Sequence, residues 1–515
     1  MSATLARLQE ISGGQLLHID QATAATVTLS EMELNAASVA AGGLFAAVPG
    51  TRTHGAHYAP DSAAGVIVTD AAGADILALA NETRPVLVVS DVREAMGYLA
   101  AEIYDHPARS LTIIGVTGTS GKTTTTYLLE GALMAAGART GIIGTTGTRI
   151  NGRSVPSQLT TPEAPALQRL FHDMLAEGVT HVVMEVSSHA LSLGRVNGVN
   201  FDVTAFLNLS QDHLDFHDTL EDYFQAKAQL FAPDSSLHAT KSVVCIDDDW
   251  GVRMAEIAAA GQEVAVATVR TQHTSSTATV QRTPARAWMA SSATVAANGV
   301  QSFQMRADSG DSYALQVALP GGFNIANAAV AWAVLDQLGF AADASAAGLG
   351  EVTVPGRMQR IDQGQDFLAV VDYAHKPAAL AEILATLREQ SSGHIIAVVG
   401  AGGDRDRAKR ELMGAAAARG ADVVIVTDDN PRSEDPAQIR QALLAGARAE
   451  NTSARIIEQG DRAAAIAQAV ALAHSGDVVV IAGKGHETGQ EIAGTIHPFD
   501  DREQLRTALQ SRAGT

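Results

Sequence analysis

Residues 115–124 read GVTGTSGKTT, and their types and spacing imply phosphate chemistry. An apolar run over 111–116 precedes them as a strand, and the spacing predicts a helix over 123–136. Strand, Gly-rich turn and helix start together form a cradle. Glycines let the backbone approach phosphates closely, and a helix N-terminus presents free N–H groups to an anion. Lys122 can reach the β- and γ-phosphates of a nucleotide, and Thr123 can offer its hydroxyl to Mg²⁺. Val116 stands where the common GxxxxGK[ST] spacing has Gly. An ordinary strand-to-helix turn is the competing reading, and the flanking pattern favours phosphate.

Further polar groups follow predicted strands. Glu185, in MEVSSHA (184–190), closes a strand, where ligands collect in open α/β sheets. A carboxylate there can help hold Mg²⁺, or it can be an ordinary strand-end acid. Residues 208–217, NLSQDHLDFH, bring two His and two Asp together. His213 can bind a metal through its ring or serve as a capping or packing residue. A zinc site lacks its usual ligand spacing. Lys227, in YFQAKAQLF (223–231), has apolar neighbours on a predicted helix. Desolvation lowers a lysine pKa, although a lone helical lysine is more often solvated. Four polar clusters follow the strands of the last third: VDYAHKP (371–377), GAGGDRDR (400–407), DNPR (429–432) and GKGHE (483–487). Singly, each is an ordinary turn-rich loop. Together, at the strand ends of one domain, they suggest a shared site.

The elements that must position these groups alternate. Strands are predicted over 111–116, 180–186, 203–208 and 242–246, with helices over 162–177 and 220–231. A second alternating unit starts near Pro355, with strands over 367–372, 394–400, 422–427 and 477–482 and helices over 377–389, 436–450 and 461–474. Such alternation implies parallel sheets covered on both faces. Residues 270–320, rich in Thr, Ser, Val and Gln, predict an antiparallel appendage, and 324–338 a helix. The first hundred residues carry short strands at 65–69 and 85–90 and a helix over 92–104, and His106–Pro107 is a natural boundary.

Bulk properties narrow the partners. With 515 residues the chain is long enough for about three domains. A formal net charge of −20 disfavours nucleic acid or an anionic membrane as main partner, while leaving room for a locally basic pocket. The single cysteine, Cys245, allows no intrachain disulfide and reads as a buried strand thiol. No apolar run approaches the about 20 residues of a membrane span. A cytoplasmic enzyme is expected.

In order along the chain, TGTSGKT (117–123), TTP (160–162), EVSSH (185–189), NLSQDH (208–213), FNIAN (323–327), PGR (355–357) and DYAH (372–375) resemble the Mur ligase family. Its shortened GTxGKT loop also accounts for Val116. The resemblance spans nearly the whole chain and implies three α/β domains. These are a UDP-muramyl-precursor-binding domain (1–108), a central P-loop-type parallel sheet with the antiparallel appendage (109–354) and a C-terminal Rossmann-like domain binding the amino acid (355–515). The DNPR cluster resembles the form of the family that adds meso-diaminopimelate. The implied reaction is ATP-dependent joining of meso-diaminopimelate to UDP-N-acetylmuramoyl-L-alanyl-D-glutamate through an acyl phosphate.

Residue by residue, the resemblance implies that Gly118, Thr119, Ser120, Gly121, Lys122, Thr123 and Thr124 bind ATP, with Asn324 and Asn327 near adenine and Arg357 and Asp372 on phosphate and ribose. Lys122, Glu185, His213 and Lys227 would be catalytic. Mg²⁺ would be held by Thr123, Glu185, His213 and Lys227, the lysine as its carbamate (N6-carboxylysine). Thr160, Thr161, Ser187 and Arg195 would contact the muramyl dipeptide. Arg432 and Arg405 can each hold a carboxylate of diaminopimelate, while Asp429, Asn430, Glu487 and the Gly483 carbonyl can accept from its ammonium. Lysine lacks that second carboxylate and would leave Arg432 without its anion. A monomer is expected.

Two departures stand out. The family usually has Asp-Ser-Arg ahead of Pro-Gly-Asp-Leu-Phe, and this chain has Asn35, Ala36 and Ala37 followed by AGGLF (41–45). Ser38 or the backbone would have to replace the uridine contacts. Leu193 stands where Gln is common two residues before Arg195. A lysine-adding Mur ligase, a folylpolyglutamate synthase-like ligase and a noncatalytic nucleotide-binding scaffold remain as alternatives.

Overall fold

Thr112–Thr117, the strand that leads into the Gly-rich turn, lies between parallel neighbours His181–Glu185 and Val203–Phe206. The computed structural model describes every residue except 156–158, 262–263, 273, 277–279, 282–283, 297–298 and 514–515. The sheet continues in parallel to Thr140–Gly144 on one side and to Lys241–Cys245 and Ala265–Arg270 on the other. These strands are buried from both faces, which is why they read as near-continuous apolar runs. A hairpin that the sequence reading missed, Gly147–Ile150 with Arg153–Val155, extends the Thr140–Gly144 edge in antiparallel fashion.

The appendage begins one strand later than expected. Arg286–Ala290 still pairs in parallel with Ala265–Arg270. Only then does the direction alternate, with Trp288 opposite Ala307 and Ala290 opposite Met305. Parts of the 270–320 span lie outside the described residues.

The chain forms two compact units. The first comprises Met1–Ala290, Met305–Ser312 and Ala329–Gly348. Besides the sheet above, it holds an N-terminal sheet in the order Gln15–Leu17, Val86–Val88, Val66–Thr69, Leu44–Ala46, Met32–Glu33, parallel except for its first strand. Helix Val92–Ile103 starts where the Asp91 carboxylate accepts from the Arg93 and Glu94 amides. Gly97 lets this helix touch backbone: a Cβ there would lie 2.2 Å from the Asn197 carbonyl oxygen. Helix Val92–Ile103 therefore braces the turn that carries Arg195.

The second unit comprises Ser291–Gln304, Tyr313–Ala328 and Leu349–Thr515. Its sheet orders Leu368–Asp372, Val478–Ala482, Ile395–Val399, Val423–Val426 and Arg455–Glu458 in parallel, with Gln359–Arg360 antiparallel at one edge. Four of these strands match the predicted runs. Arg455–Glu458 was missed because it is short and charged at both ends. Helix Ala408–Gly420 was missed because its apolar face is built from Ala and Gly. Arg462 and Asp501, both fully buried, form a 2.7 Å ion pair, and the guanidinium also donates to the Ala482 carbonyl. This pair supports the loop after Val478–Ala482 from below.

Helices Ala408–Gly420 and Pro436–Ala449 meet at two facing glycines. A Cβ on Gly414 would lie 1.9 Å from the Leu443 carbonyl oxygen, and one on Gly446 at 1.9 Å from that of Glu411. Both obstacles are backbone, which cannot step aside. Gly414→Ala should therefore lower stability by about 2 kcal/mol despite alanine's better helix propensity, because overpacking forces the helices apart. An unchanged unfolding midpoint for the full chain would contradict this packing.

Candidate active site

The Gly-rich turn is shaped by backbone conformations that L side chains avoid. Gly118 has φ +152° and Gly121 φ +87°, and a Cβ on Gly118 would lie 3.0 Å from the Leu207 Cβ. Helix Lys122–Ala135 begins immediately after, with Gly121 as its N-cap. Asn208 laces the turn from the next strand end. Its side-chain oxygen accepts from the Ser120 amide at 3.0 Å, and its backbone carbonyl accepts from the Thr119 amide at 3.0 Å. The Lys122 ammonium donates to the Gly118 and Thr119 carbonyls at 2.8 and 2.9 Å, folded back over the turn. Thr124 is buried on the first helical turn.

Glu185 is 1 % exposed and fully engaged. Its Oε1 accepts from the Thr123 hydroxyl at 2.8 Å and from the Thr145 amide at 2.8 Å, and its Oε2 accepts from the Thr145 hydroxyl at 3.0 Å. Gly144 must lack a side chain, since a Cβ there would stand 2.4 Å from Oε1. The Glu185 backbone carbonyl accepts from the Thr161 hydroxyl at 2.9 Å. Thr161 Oγ1 in turn receives the Ser187 amide at 3.3 Å, and its carbonyl receives Arg195 at 3.3 Å. Thr160 joins through a 3.1 Å contact with the Thr145 hydroxyl. Thr123, Glu185, Thr160, Thr161, Ser187 and Arg195 thus form one connected network. Glu163, absent from the predicted set, holds Arg195 by a 2.8 Å ion pair. Its signal was an acid directly after the Thr160–Pro162 motif.

Lys227 is 1 % exposed. Its Nζ donates to the Gly118 carbonyl at 3.0 Å and lies 4.4 Å from the centre of the Tyr223 ring. Burial, reinforced by the nearby Lys122 charge, pushes this ammonium well below the usual lysine range. His213 adopts φ 54°, and its ring lies 4.9 Å from that of His189 and 6.0 Å from that of Tyr223. Among the described residues no group of three or more His, Cys, Asp or Glu is arranged to hold a metal ion. The Thr123 hydroxyl and Glu185 carboxylate nevertheless supply the hard oxygen donors that Mg²⁺ prefers. Ser38 is exposed, with its amide bonded to the Asn35 carbonyl, and the Asn35 side chain accepts from the Ala37 amide. Asn35 therefore shapes its own turn.

The second unit carries the remaining residues. Asn324 is anchored to the Pro320 carbonyl at 2.6 Å and receives the Asn327 amide at 3.1 Å. Asp372 is buried, and its two oxygens accept from the Met358 and Ala374 amides at 2.6 and 2.7 Å. Burial raises its carboxyl pKa, opposed by Arg357 and these amides. Arg357 stacks 4.5 Å above Tyr373, whose ring is 5.2 Å from that of His486. Gly356 has φ +62° and no room for a Cβ, which would meet Gly485 at 2.1 Å, so the Pro355–Arg357 turn sits directly on the 483–487 loop.

That loop meets Asp429–Arg432. Gly483 has φ +120°, and a Cβ on it would lie 2.6 Å from Asp429 Oδ2. Asn430 Nδ2 donates to Glu487 at 2.9 Å, while its Oδ1 accepts from Lys484 Nζ at 2.8 Å and from the Glu491 amide at 3.0 Å. Only this amide orientation gives each contact one donor and one acceptor. In this structure the Asn430 oxygen, expected to accept from a substrate ammonium, is engaged by these two protein donors. Arg432, at φ 51°, donates to the Gly403 carbonyl at 2.7 Å and pairs with Glu491 at 3.2 Å. Arg405 is exposed on the neighbouring loop.

Known proteins carry the same organisation. The Mur ligase middle domain matches residues 116–335, the Mur ligase glutamate ligase domain 356–485, and the Mur ligase family catalytic domain 28–104. The UDP-N-acetylmuramoyl-L-alanyl-D-glutamate--2,6-diaminopimelate ligase of Corynebacterium glutamicum is 56 % identical over 91 % of this chain and 89 % of its own length. The chain belongs to the Mur ligase family. The corresponding ligase of Corynebacterium efficiens is 53 % identical over 99 % of the chain and 95 % of its own length. A solved ligase of the same name superposes with TM-score 0.71 at 33 % identity, covering 100 % of both chains. The three-domain α/β Mur ligase fold expected from the motifs is the fold found. Among the described residues no helix is long and apolar enough to cross a membrane.

His486 provides a pH test of this Mur ligase geometry. Burial, followed by the Arg357 and Arg502 charges, pushes its imidazole down to about 4 from 6.5. Between those values the unfolded chain takes up a proton that the native site rejects. Its contribution is fully present above about 6.5 and is lost as pH falls toward about 4. His486→Gln should flatten the decline of unfolding free energy across this window. Parallel denaturation curves for both proteins at pH 7, 5.5 and 4.5 check this, and equal slopes would contradict it.

Proposed function

We propose that this chain joins meso-diaminopimelate to UDP-N-acetylmuramoyl-L-alanyl-D-glutamate at the expense of ATP, in peptidoglycan precursor synthesis. The observation that carries the reading is that Glu185 is shared. Its carboxylate engages Thr123 of the phosphate turn, and its backbone carbonyl engages Thr161 of the predicted dipeptide cluster. One strand end thereby serves both reactants. The three matched segments support domain boundaries after residues 108 and 354.

A carboxylate is a poor electrophile, so it must be activated. An oxygen of the D-glutamate side-chain carboxylate attacks the γ-phosphorus, ADP departs, and an acyl phosphate forms. The amine of diaminopimelate then attacks the acyl carbon, phosphate leaves, and the nitrogen loses a proton. Lys122 and the amides of Gly118–Thr124 neutralise and orient the phosphates, which supplies most of what phosphoryl transfer asks of a protein. Arg195 and Ser187 align the acceptor carboxylate. Asn324, Asn327, Arg357 and Asp372 serve the nucleoside and phosphates. Mg²⁺ is the implied metal: Thr123 and Glu185 would hold it, with His213 and the carbamate of Lys227 at a second position, and when bound it would neutralise phosphate charge. Arg432 takes the distal carboxylate of diaminopimelate, while Glu487, Asp429 and the Gly483 carbonyl face its ammonium. We further propose a monomeric cytoplasmic enzyme.

Two experiments test the reading. Phosphate release should require the UDP-muramyl dipeptide and meso-diaminopimelate together, and product mass should identify the added residue. Arg432→Ala should raise the KM for diaminopimelate at least about tenfold, since it removes a charge-assisted pair, with kcat little changed. Equal turnover of lysine by the unmodified protein would remove the specificity. Separately, we propose that Lys227, whose ammonium form is disfavoured by burial, adds CO₂ as the free amine and sheds one proton to give a carbamate. ¹³C-bicarbonate should yield a carbamate resonance in this protein and none in Lys227→Met. Its absence at saturating bicarbonate would exclude the modification.

A further inference from the structure

Lys484 is a fully buried cation whose ammonium reaches the polar side chains of the amino-acid corner. Its Nζ lies 2.8 Å from Asn430 Oδ1, 3.4 Å from Glu487 Oε2 and 3.8 Å from Asp429 Oδ1. A buried ammonium is costly unless it is paired and hydrogen-bonded, so these three groups are drawn toward it. The consequence for Asn430 is specific. With Oδ1 committed to Lys484 and to the Glu491 amide, Nδ2 must point the other way, and there it donates to Glu487.

We infer that Lys484 is a positioning residue for the proposed diaminopimelate site, holding the Glu487 carboxylate both directly and through the Asn430 amide. The inference rests on the proposed function and deepens it. Without the Lys484 cation, the Asn430 oxygen loses its charged donor. The Glu487 carboxylate loses its own ammonium partner at the same time, and the Asn430 amide that donates to it is held at Oδ1 by the Glu491 amide alone, so the carboxylate is less firmly placed. Lys484 thus keeps Glu487 where a substrate ammonium can meet it without itself touching the substrate. The corner is stiffened by Gln490, whose side chain donates to the Asp429 carbonyl at 2.7 Å, and by the Arg432 amide, which donates to the Glu491 carbonyl at 3.0 Å.

The test is steady-state kinetics of the full-length chain with each of the three substrates varied in turn. The unmodified protein comes first: if it does not consume meso-diaminopimelate, the functional reading fails before Lys484 is at issue. Given turnover, Lys484→Met should raise the KM for meso-diaminopimelate about tenfold, the size of one lost charge-assisted hydrogen bond, with the KM values for ATP and the UDP-dipeptide within twofold. Lys484→Gln, which keeps an N–H donor, should give a smaller rise. In an Asn430→Ala background Lys484→Met should add a smaller factor than it does alone, because the two residues share the Glu487 carboxylate and coupled contacts are not additive. A diaminopimelate KM within twofold of the original in Lys484→Met, or a full additive effect in the double variant, overturns the inference. So does failure of both single variants to fold, which would assign Lys484 to the core alone.

Discussion

Glu185 lies at the end of a strand with its carboxylate almost entirely removed from water and three donors turned toward it. A buried carboxylate left unpaired would be costly, so Thr123 and Thr145 are held in fixed places around it. Thr123 opens the helix after the phosphate turn, and Thr145 links across to Thr160. The Gly-rich turn, the neighbouring loop and the Thr160–Thr161 segment therefore cannot move independently of this one group. Gly144 and Gly118 are needed for the same reason, because at each of them a Cβ would crowd a neighbouring strand end.

The second unit also fixes its loops through buried charges. There two buried cations, Arg462 and Lys484, stand beside buried acids such as Asp372 and Asp501. Arg462 is neutralised by Asp501 and supports the strand end from beneath. Lys484 organises the acceptors above it. Positive charge in the core of the unit thus holds negative and polar groups at its rim. In a chain with net charge −20, these few cations lie where water is excluded, and there each acts over a short range in a weakly screening medium.

Much of the fold was legible along the chain, and the misses have physical causes. Long apolar strands such as 111–116 and 477–482 announced themselves because both faces are covered. Helix Ala408–Gly420 did not, because close helix contact there is made by Ala and Gly, which carry little hydrophobic signal. The strand Arg286–Ala290 was expected to be antiparallel, because strand direction depends on the connection and leaves no mark on composition. Within the site, Glu163 and Lys484 were passed over although they lie in or beside quoted motifs. Their roles become visible only when partners 32 and 54 positions away in the chain are brought to hydrogen-bond distance.

The sequence by itself determined the phosphate turn, the alternating strands and helices, and the residue types offered at each strand end. These are local properties, set by backbone freedom at glycine, by burial pattern and by side-chain chemistry. Tertiary structure alone decided which of those groups are already engaged. It directed the Asn430 oxygen inward, suppressed the Lys227 and His486 pKa values through burial, and gave Arg195 and Arg432 carboxylate partners within the protein. Protonation and hydrogen-bond polarity depend on distance and on exclusion of water, and neither exists until distant segments have folded together.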